Sequence, residues 1–451
     1  MSTAKETTAA ELASSRRRRL LLAAAILTGG VYFFVGHDLQ VSTFERYAPW
    51  SDADETIVTA GSNSTKGAAL AALGLFGAYL LTRRGGLTLH LTGWLPTSMA
   101  IFLLWASASV LWSDDPGLSC RRLAVLLFCV LAACGIARQF PGRDLVRMAV
   151  AMTGAYLAIG IAAEIALGTF RPWAAQYRFA GTVHPNTQGA YLAVLCLALF
   201  CLARFANDRQ SWYWAGLGVA GIFLLLTKSR TSCAAAVVAA GVLWMLTATP
   251  RVRWTTVATL GFLFCGGLLL GMVASGNLEE KAGNLIMLGR EQDSEALTGR
   301  LPIWQELLGY ARQKPLQGYG FESFWTLDHV EDVSEEMQWP LREAHNAYLD
   351  ALLSVGLIGL TAMLVSVAIA LKQFAGWLLA APGPGVAFGL CLLVFGLLNA
   401  CMETGMGSAN FLTLIAGACV LQLFFMEAPN QSAEPEFRAE TISSSLPHRP
   451  C

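Results

Sequence analysis

The sequence predicts an all-α, polytopic integral membrane protein with about twelve transmembrane helices. Of its 451 residues, 55% are hydrophobic and only 14% are charged, which is too little charge for a soluble domain of this length. Apolar runs of membrane-spanning length recur from one end of the chain to the other, and such runs predict transmembrane helices. The short connections on one predicted side of the membrane are all basic, which gives the helices a consistent orientation.

In chain order, the polar segment 1–19 comes first and ends in the run Arg16–Arg19, which predicts a cytoplasmic tail. Spans are then predicted at 20–36, 67–82, 93–112, 123–137, 145–167, 187–205, 212–227, 231–248, 255–274, 347–371, 384–400 and 408–426. The polar segment 427–451 predicts a second cytoplasmic tail. The predicted domains are therefore the tail 1–19, a transmembrane domain 20–426 and the tail 427–451.

The orientation follows from the positions of the basic residues. With both termini inside, each short inner connection carries lysine or arginine, as the positive-inside rule requires. These residues are Arg83, Arg84, Arg138, Arg143, Arg147, Arg204, Arg209, Arg251, Arg253 and Lys372. Residues 275–345 then form one large outer loop. Within it, residues 301–312 have helical apolar spacing, and Gln317-Gly-Tyr-Gly-Phe321 predicts a tight turn.

Several basic residues depart from this charge rule because they fall on the outer side: Arg171, Arg178, Lys228, Arg230 and Arg300. A cation near the membrane surface can reach back to water or interact with helix carbonyl groups, and Arg230 alone is explained equally well in that way. As a set, they predict a bound anion. Guanidinium groups pair bidentately with phosphate oxygens and keep their charge.

His345 stands where the large loop re-enters an apolar helix, followed by Asn346. A histidine at a helix start is often a cap or a packed side chain. The positive end of the helix nevertheless disfavours the imidazolium form, and a neutral imidazole is what a general base requires. Glu343 is close enough in sequence to orient the ring. Gly356 and Gly359, further along the same helix, are interpreted as sites of close helix approach.

No nucleotide or metal site is indicated by the sequence. Gly318-Tyr-Gly320 lacks the third glycine of a dinucleotide-binding loop, and no Walker loop is present. Asp52 and Asp54 form an acidic string of the kind that holds a metal in some membrane glycosyltransferases, but such strings are common in polar loops. We therefore expect no metal and no cofactor.

His345-Asn346, nine residues, then Gly356-Leu-Ile-Gly359 resembles the HN-x9-GxxG signature of the O-antigen ligase family. Further matches follow in family order over about residues 95–425. They are Trp112-Ser-Asp-Asp-Pro116, the segment from Arg178 to Asn186 with His184-Pro-Asn, Ser229-Arg-Thr231 and Gly299-Arg-Leu-Pro-Ile-Trp304. The signature with its preceding large loop is the most specific of these matches.

This resemblance implies a GT-C-like, metal-independent glycosyltransferase of the bacterial inner membrane, with its active site and large loop facing the periplasm. The donor implied is a glycan on undecaprenyl pyrophosphate. By the same resemblance, His345 is the catalytic histidine. Arg230 and Arg300 bind the pyrophosphate, and Arg178 is a weaker candidate for that role. Asn346, Glu343, Gly356 and Gly359 would support the site.

Three functions remain open at this point. The first is an O-antigen ligase that joins the glycan to a lipid A–core acceptor. The second is an O-antigen or exopolysaccharide polymerase that uses the same donor and a lipid-linked glycan acceptor. The third is a transporter of lipid-linked glycans. A transporter is expected to show an inverted repeat, whereas an enzyme requires the arginines and His345 to converge at the outer end of the helices.

Overall fold

The computed structural model describes residues 64–83, 88–174, 177–206, 209–256, 259, 300–337, 341, 343–404 and 411–426. Within these ranges every regular element is a helix and no strand occurs, which confirms the predicted all-α fold. The predicted span 20–36, most of 255–274 and both predicted tails lie outside the described residues.

The described part of the chain contains the α-helices listed next, with 3-10 turns at Ser109–Trp112 and Leu423–Phe425 extending α2 and α12. They are α1 Ser64–Thr82, α2 Trp94–Ala108, α3 Pro116–Gln139, α4 Gly142–Ala166, α5 Pro185–Phe205, α6 Gln210–Leu226, α7 Arg230–Thr247, α8 Arg300–Gln313, α9 Leu327–Met337, α10 Ala347–Ala380, α11 Pro384–Asn399 and α12 Phe411–Gln422. Among the described residues, six helices are long and apolar enough to cross a membrane. A total of about twelve spans stays a prediction.

Polar residues fix where several of these helices begin. The Asp115 side chain accepts a hydrogen bond from the Leu118 amide (2.9 Å) at the start of α3, directly before Pro116. A side-chain oxygen at this position satisfies an amide that the first helical turn leaves unpaired, and proline is well suited to the first helical residue. The α5 helix begins in a similar way, because Nδ1 of His184 accepts from the Asn186 amide (3.3 Å).

Helix α5 forms the centre of the bundle. Its side chains from Gln188 to Leu199 are all buried, and α5 packs against α4, α6, α7 and α11. The Tyr191 ring lies 5.0 Å from the ring of Tyr156 on α4 and 5.4 Å from the ring of Phe411 on α12. A helix that is apolar on every face is stable only when neighbouring helices surround it, as here.

The ends of α1 and α3, each next to basic residues, lie side by side at one end of the bundle. There Gln139 at the end of α3 donates to the Leu80 carbonyl near the end of α1 (2.9 Å). Near the end of α12, Gln422 donates to the carbonyl of Phe140 (2.6 Å). These contacts place the α1–α2 and α3–α4 connections beside the end of α12. We call this end the basic end; its position inside the cell stays a prediction.

Helix α10 is interrupted at Gly356, whose φ of 64° and ψ of −173° are not helical. Residues other than glycine rarely adopt this conformation. The interpretation of Gly356 as a helix–helix contact is wrong, because its neighbour is the loop backbone: a Cβ at Gly356 would overlap the Leu316 carbonyl. Gly359 does approach another helix, since a Cβ there would lie 3.0 Å from the Trp105 ring of α2.

The segment that follows α8 forms hydrogen bonds with the backbone groups of α10 that the interruption at Gly356 leaves unpaired. The Leu357 amide donates to the Pro315 carbonyl (2.9 Å), and the Tyr319 amide donates to the Leu353 carbonyl (2.7 Å). Buried backbone groups need such partners, because leaving one unpaired costs about 1–3 kcal/mol. The turn predicted at 317–321 is confirmed, with positive φ at Gly318 (68°) and Gly320 (102°).

The turn between α2 and α3 completes this arrangement. Trp112 donates through its indole nitrogen to the Gln317 carbonyl (3.1 Å), and the Ser113 hydroxyl donates to the hydroxyl of Ser323 (2.8 Å). The Asp114 amide donates to the carbonyl of Tyr319 (3.3 Å). Three segments distant in sequence therefore meet at one point. We call residues 112–116, 315–323 and 353–359 together the Gly356 junction.

Candidate active site

The ends of four helices meet at the end of the bundle opposite the basic end. They are the N-terminal ends of α5, α7 and α10 and the C-terminal end of α11. Ser232 on α7 donates to the Asn399 side chain on α11 (3.3 Å), and the Ala347 amide of α10 donates to the Ala400 carbonyl (2.9 Å). Three positive helix ends therefore point toward one region, which favours bound negative charge there.

His345 lies in this region, directly before α10, and its ring is held by Glu343. The His345 Nδ1 atom lies 3.0 Å from Oε1 of Glu343, a hydrogen-bonding distance. A carboxylate accepts a hydrogen bond from Nδ1–H, so this contact selects the tautomer that keeps its proton on Nδ1 and carries a lone pair on Nε2. Nε2 is then the atom of His345 that can accept a proton from a substrate.

Glu343 is held in turn by the chain that follows α11. The Thr404 hydroxyl donates to Oε2 of Glu343 (2.5 Å). Burial tends to raise the pKa of Glu343. The hydrogen bond to His345, the positive charge of His345 when its ring is protonated, the Thr404 hydroxyl and the charge of His184 together lower the pKa. Glu343 therefore stays ionised and fixes the orientation of the His345 ring.

The backbone at His345 is in an unusual conformation that its neighbours maintain. The φ of His345 is 49°, in the left-handed region that residues with a side chain seldom adopt. Next to it, Asn346 caps α10 by accepting from the Tyr348 (3.0 Å) and Leu349 (3.1 Å) amides. Asp350 accepts from the Ala344 amide (3.2 Å). The Asn346 side chain is therefore occupied in positioning the helix that carries His345.

Arg178 approaches the same region from the segment before α5. Its Nε donates to the Thr227 carbonyl (3.0 Å), and its Nη2 donates to Oδ1 of Asn186 (2.8 Å). Two different nitrogens of the guanidinium are thus used at once, which a lysine ammonium cannot reproduce in the same geometry. Asn186 extends the chain of contacts, because its Nδ2 donates to Oε1 of Glu403 (2.9 Å).

A buried carboxylate fixes the segment that carries Arg178. Oε1 of Glu164, near the end of α4, accepts from the amides of Ala180 (2.9 Å) and Gly181 (2.8 Å). Its Oε2 accepts from the Tyr177 hydroxyl (2.5 Å). Only 5% of the Glu164 surface is exposed, and a buried charge of this kind is stable only when it is well hydrogen-bonded. Glu164 therefore sets the path of the chain on both sides of Arg178.

Arg300 reaches the region from the first residue of α8. Its Nη1 donates to the Met402 carbonyl (2.6 Å). The next residue is Glu403. Burial raises the pKa of Glu403, although the charges of Arg300 and His345 oppose this effect. Arg300, His345 and Glu403 therefore lie within electrostatic range of one another.

Arg230 is the first residue of α7, at the same end of the bundle. The preceding residue, Ser229, packs against Gly189 of α5, where an added Cβ would lie 2.7 Å from that of Ser229. The Ser229 hydroxyl also donates to that of Ser232 (3.0 Å). Arg230 comes three residues after Thr227, whose carbonyl binds Arg178. Arg178 and Arg230 are distant in sequence, but Arg178 binds the segment 227–230, of which Arg230 is part.

Most of the predicted site residues belong to one of two groups; Arg230 and Asn346 lie beside the first group. The contacts described above connect Arg178, Asn186, Arg300, Glu343, His345 and Glu403, which we call the His345 cluster. Gly356 and Gly359 belong instead to the junction, about three helical turns further along α10. Their contribution to the site is through the shape of α10 and not through contact with His345.

No metal site is found in the part of the chain that the structure describes, where no three His, Cys, Asp or Glu side chains are arranged to hold an ion. Asp52 and Asp54 lie outside these residues.

Residues 215–364 match the family model described as O-antigen ligase. The resemblance to the O-antigen ligase family is thereby confirmed. The matched residues include Arg230, Arg300 and His345 and both glycines of the signature. They end before Glu403 and begin after Arg178.

The chain is also similar to a curated protein, the exopolysaccharide production protein ExoQ of Rhizobium meliloti (strain 1021). The two are 28% identical over 270 residues, which is 57% of this chain and 60% of ExoQ. The match therefore covers less than two thirds of the relative's length. One comparison is thus with a family described as O-antigen ligase, and the other is with a protein named for exopolysaccharide production.

Sequence reasoning missed Glu403 and Thr404. One signal was present: the short stretch Cys401-Met-Glu-Thr404 places a charge between two predicted spans, at the predicted outer side. It also missed Glu164, because a single carboxylate near the end of an apolar run has no partner visible in the sequence. Its partners Ala180 and Gly181 become apparent only when the chain folds back.

Proposed function

We propose that this chain is a glycosyltransferase of the O-antigen ligase type, which moves a glycan from undecaprenyl pyrophosphate to an acceptor hydroxyl. One observation carries the proposal: the His345–Glu343 pair lies in the same cluster as Arg178 and Arg300. A base and fixed cations are the two elements that transfer from a glycosyl pyrophosphate requires.

In the proposed reaction, Nε2 of His345 takes the proton of the acceptor hydroxyl. The acceptor oxygen then forms a bond to the anomeric carbon of the donor sugar, and the bond from that carbon to the pyrophosphate oxygen breaks. Glu343 stabilises the imidazolium that forms, as a carboxylate paired with a catalytic histidine does. The negative charge that develops on the pyrophosphate is stabilised by the guanidinium groups of Arg178, Arg230 and Arg300.

The proposed reaction needs no nucleotide, because the glycosyl pyrophosphate is already activated. It also needs no metal if the arginines neutralise the leaving group, since guanidinium groups provide permanent positive charge. The clustering of these groups at one end of the bundle favours an enzyme over a transporter, whose polar residues are expected near the middle of the membrane.

The proposed location is the bacterial inner membrane, with the His345 cluster facing the periplasm and both termini in the cytoplasm. The test is cysteine labelling at opposite ends of the bundle. Arg312 and Arg253 are both exposed, so Arg312→Cys and Arg253→Cys are a matched pair in a background without the exposed Cys120 and Cys401. A membrane-impermeant thiol reagent should label only Arg312→Cys in intact cells. Labelling of Arg253→Cys alone would reverse the orientation.

Two forms of this function are considered, and they differ in the acceptor that receives the glycan. The ligase form joins the glycan to lipid A–core. The similarity to a protein named for exopolysaccharide production favours a second candidate, a polymerase that joins the glycan to another lipid-linked glycan.

The experiment is the glycolipid profile of a deletion strain. Loss of capped lipid A–core while polymer is still made supports the ligase form. Accumulation of single-repeat products supports the polymerase form, and an unchanged profile in both fractions contradicts the proposed function. A strain producing the His345→Ala protein should reproduce the deletion profile.

A further inference from the structure

Glu403 occupies a central position in the His345 cluster that the proposed reaction does not explain. Its Oε1 atom accepts from Asn186, whose own side-chain oxygen binds Nη2 of Arg178 (2.8 Å). Arg300 donates to the carbonyl of Met402, the residue that precedes Glu403 (2.6 Å), and its charge acts on the Glu403 carboxylate. A carboxylate is therefore linked through Asn186 to Arg178 and through the adjacent Met402 carbonyl to Arg300, two of the arginines that are expected to bind the donor's phosphates.

Such a carboxylate and a pyrophosphate compete for the same cations. Glu403 and the phosphate oxygens are both anionic acceptors, and like charges held a few ångströms apart repel each other strongly away from bulk water. Glu343 adds a second negative charge to the cluster, held by His345 (3.0 Å). The donor therefore meets a region whose arginines are already partly neutralised.

We propose that, before the donor binds, the Glu403 carboxylate supplies the negative charge that partly neutralises Arg178 and Arg300. It takes up a proton when the pyrophosphate binds. This inference rests on the proposed function, since it concerns the same donor site. Glu403 acts through the arginines and does not touch the reacting carbon. It is therefore a positioning residue.

The surroundings of Glu403 favour protonation. The groups that face it are Arg300 from α8, Asn186 from α5, and His345 and Glu343 from the segment before α10. Burial raises the pKa of Glu403, Arg300 and His345 oppose the rise, and Glu343 adds to it. When a pyrophosphate draws the positive charge of Arg300 toward itself, the charge that opposes protonation is weakened. The proton comes from water.

The same carboxylate would assist product release. When the bond between sugar and pyrophosphate breaks, the leaving lipid pyrophosphate gains one negative charge. Loss of the proton from Glu403 then restores its competition for the arginines, and the repulsion favours departure of the lipid pyrophosphate. The proton bound on donor entry is thus returned to water on product exit, so the cycle as a whole conserves protons at this residue.

The test is the binding of a short-chain polyprenyl pyrophosphate, farnesyl pyrophosphate, to the purified full-length protein by titration calorimetry. Glu403→Gln keeps an oxygen for Asn186 and removes the charge. At about pH 8 it should bind the probe about ten- to a hundredfold more tightly than wild type. The wild-type affinity should weaken as the pH rises through the pKa of Glu403, and this component should be missing in the variant. Glu331→Gln, which removes an exposed charge from α9, is the control and should bind as wild type does.

A second measurement uses the wild type alone and does not depend on the variant folding. Calorimetry in buffers with different ionisation enthalpies should show net proton uptake on binding. No uptake by wild type, or equal or weaker binding by Glu403→Gln, would overturn the role of Glu403. If wild type binds the probe in that case, the proposed donor site stands and only this inference fails. If neither protein binds the probe, both the inference and the proposed donor site are wrong.

Discussion

The His345 cluster and the Gly356 junction lie toward the same end of the bundle but are built from different groups. The cluster joins side chains to one another, as in the contacts from Arg178 through Asn186 to Glu403. The junction is held mainly by backbone groups, as in the bond from the Leu357 amide to the Pro315 carbonyl. The family signature extends across both, with His345 in one and Gly356 in the other.

Within one sequence signature, His345 is therefore expected to serve the reaction and Gly356 to serve the fold. Charged side chains that satisfy one another can be changed without removing the backbone bonds that hold the fold. A glycine with positive φ, whose missing Cβ leaves room for another chain segment, cannot be replaced without moving that segment. Changes in the cluster should therefore reduce activity while the protein remains folded, and changes in the junction should reduce stability.

The largest expected effect is that of His345→Ala on activity. An acceptor hydroxyl is a poor nucleophile until a base takes its proton, and general-base catalysis contributes about a hundred- to ten-thousandfold in rate. The variant should lose that factor in transfer of glycan from a lipid-linked donor in vitro. It should still bind donor, because the arginines remain. Its unfolding temperature in detergent should fall only slightly, by the contribution of the pairing with Glu343.

The control is His90→Ala. His90 is an exposed histidine near the basic end, so this variant should retain full activity. Near-normal turnover by His345→Ala would remove His345 from the proposed mechanism. Loss of donor binding would instead assign it to the anion site.

The sequence was sufficient to predict the fold class because the apolar runs alone determine it. The run predicted at 187–205 is observed as helix Pro185–Phe205, and the run at 145–167 as Gly142–Ala166. The interruption at Gly356 was not predictable in the same way. Gly356 lies within an apolar stretch. Only the structure explains why a glycine is needed there, because the Leu316 carbonyl occupies the place that a Cβ would take.

Residues of the candidate site could be predicted from the sequence only when their own side chain and position were unusual. Arg178, Arg300 and His345 stood out because they are polar and lie on the predicted outer side of the membrane. Glu403 and Glu164 did not stand out, because their significance depends on partners far away in the sequence. Glu403 accepts a hydrogen bond from Asn186, which is 217 residues away in the sequence. A local sequence pattern cannot predict such a contact.

Next in size is the effect of Gly356→Ala on stability. A Cβ at this position meets the Leu316 carbonyl, and the φ of 64° disfavours any side chain. Backbone strain and overpacking together should cost about 2–4 kcal/mol. Gly376→Ala is the matched control. Gly376 lies in the same helix with no atom within 4 Å of its Cβ position, and alanine there should be neutral or slightly stabilising. Equal unfolding temperatures for the two variants would contradict the structural role of Gly356.

Replacing the cluster arginines by lysine should have a smaller effect, expressed in activity and donor binding. Arg178→Lys keeps the charge but cannot bind the Thr227 carbonyl and Asn186 together. We expect a loss of about ten- to a hundredfold in kcat/KM, corresponding to about 1–3 kcal/mol. Arg230→Lys and Arg300→Lys should behave similarly if both groups bind one pyrophosphate. Arg312→Lys, at an exposed position on α8, should have no effect. Wild-type kinetics in Arg178→Lys, Arg230→Lys and Arg300→Lys would rule out the bidentate role.

The smallest expected effect is that of Glu343→Gln. Glutamine still offers an oxygen to Nδ1 of His345, so the ring should keep its orientation. What is lost is the negative charge that stabilises the imidazolium formed when His345 takes the acceptor's proton. We therefore expect kcat to fall by about tenfold with little change in KM, since the charge acts on the transition state more than on substrate binding.

The pH dependence of unfolding tests the pairing of Glu343 with His345, and kcat tests its part in catalysis. Burial opposes ionisation of Glu343, but His345, Thr404 and His184 lower its pKa overall. The stabilisation that this carboxylate contributes is therefore fully present above the ordinary glutamate pKa and is lost as the pH falls through the lowered value. Thermal unfolding of wild type should show this acid-side loss, and Glu343→Gln should lack that component. If the variant keeps the wild-type kcat and the wild-type acid profile, the pairing of Glu343 with His345 has no part in catalysis.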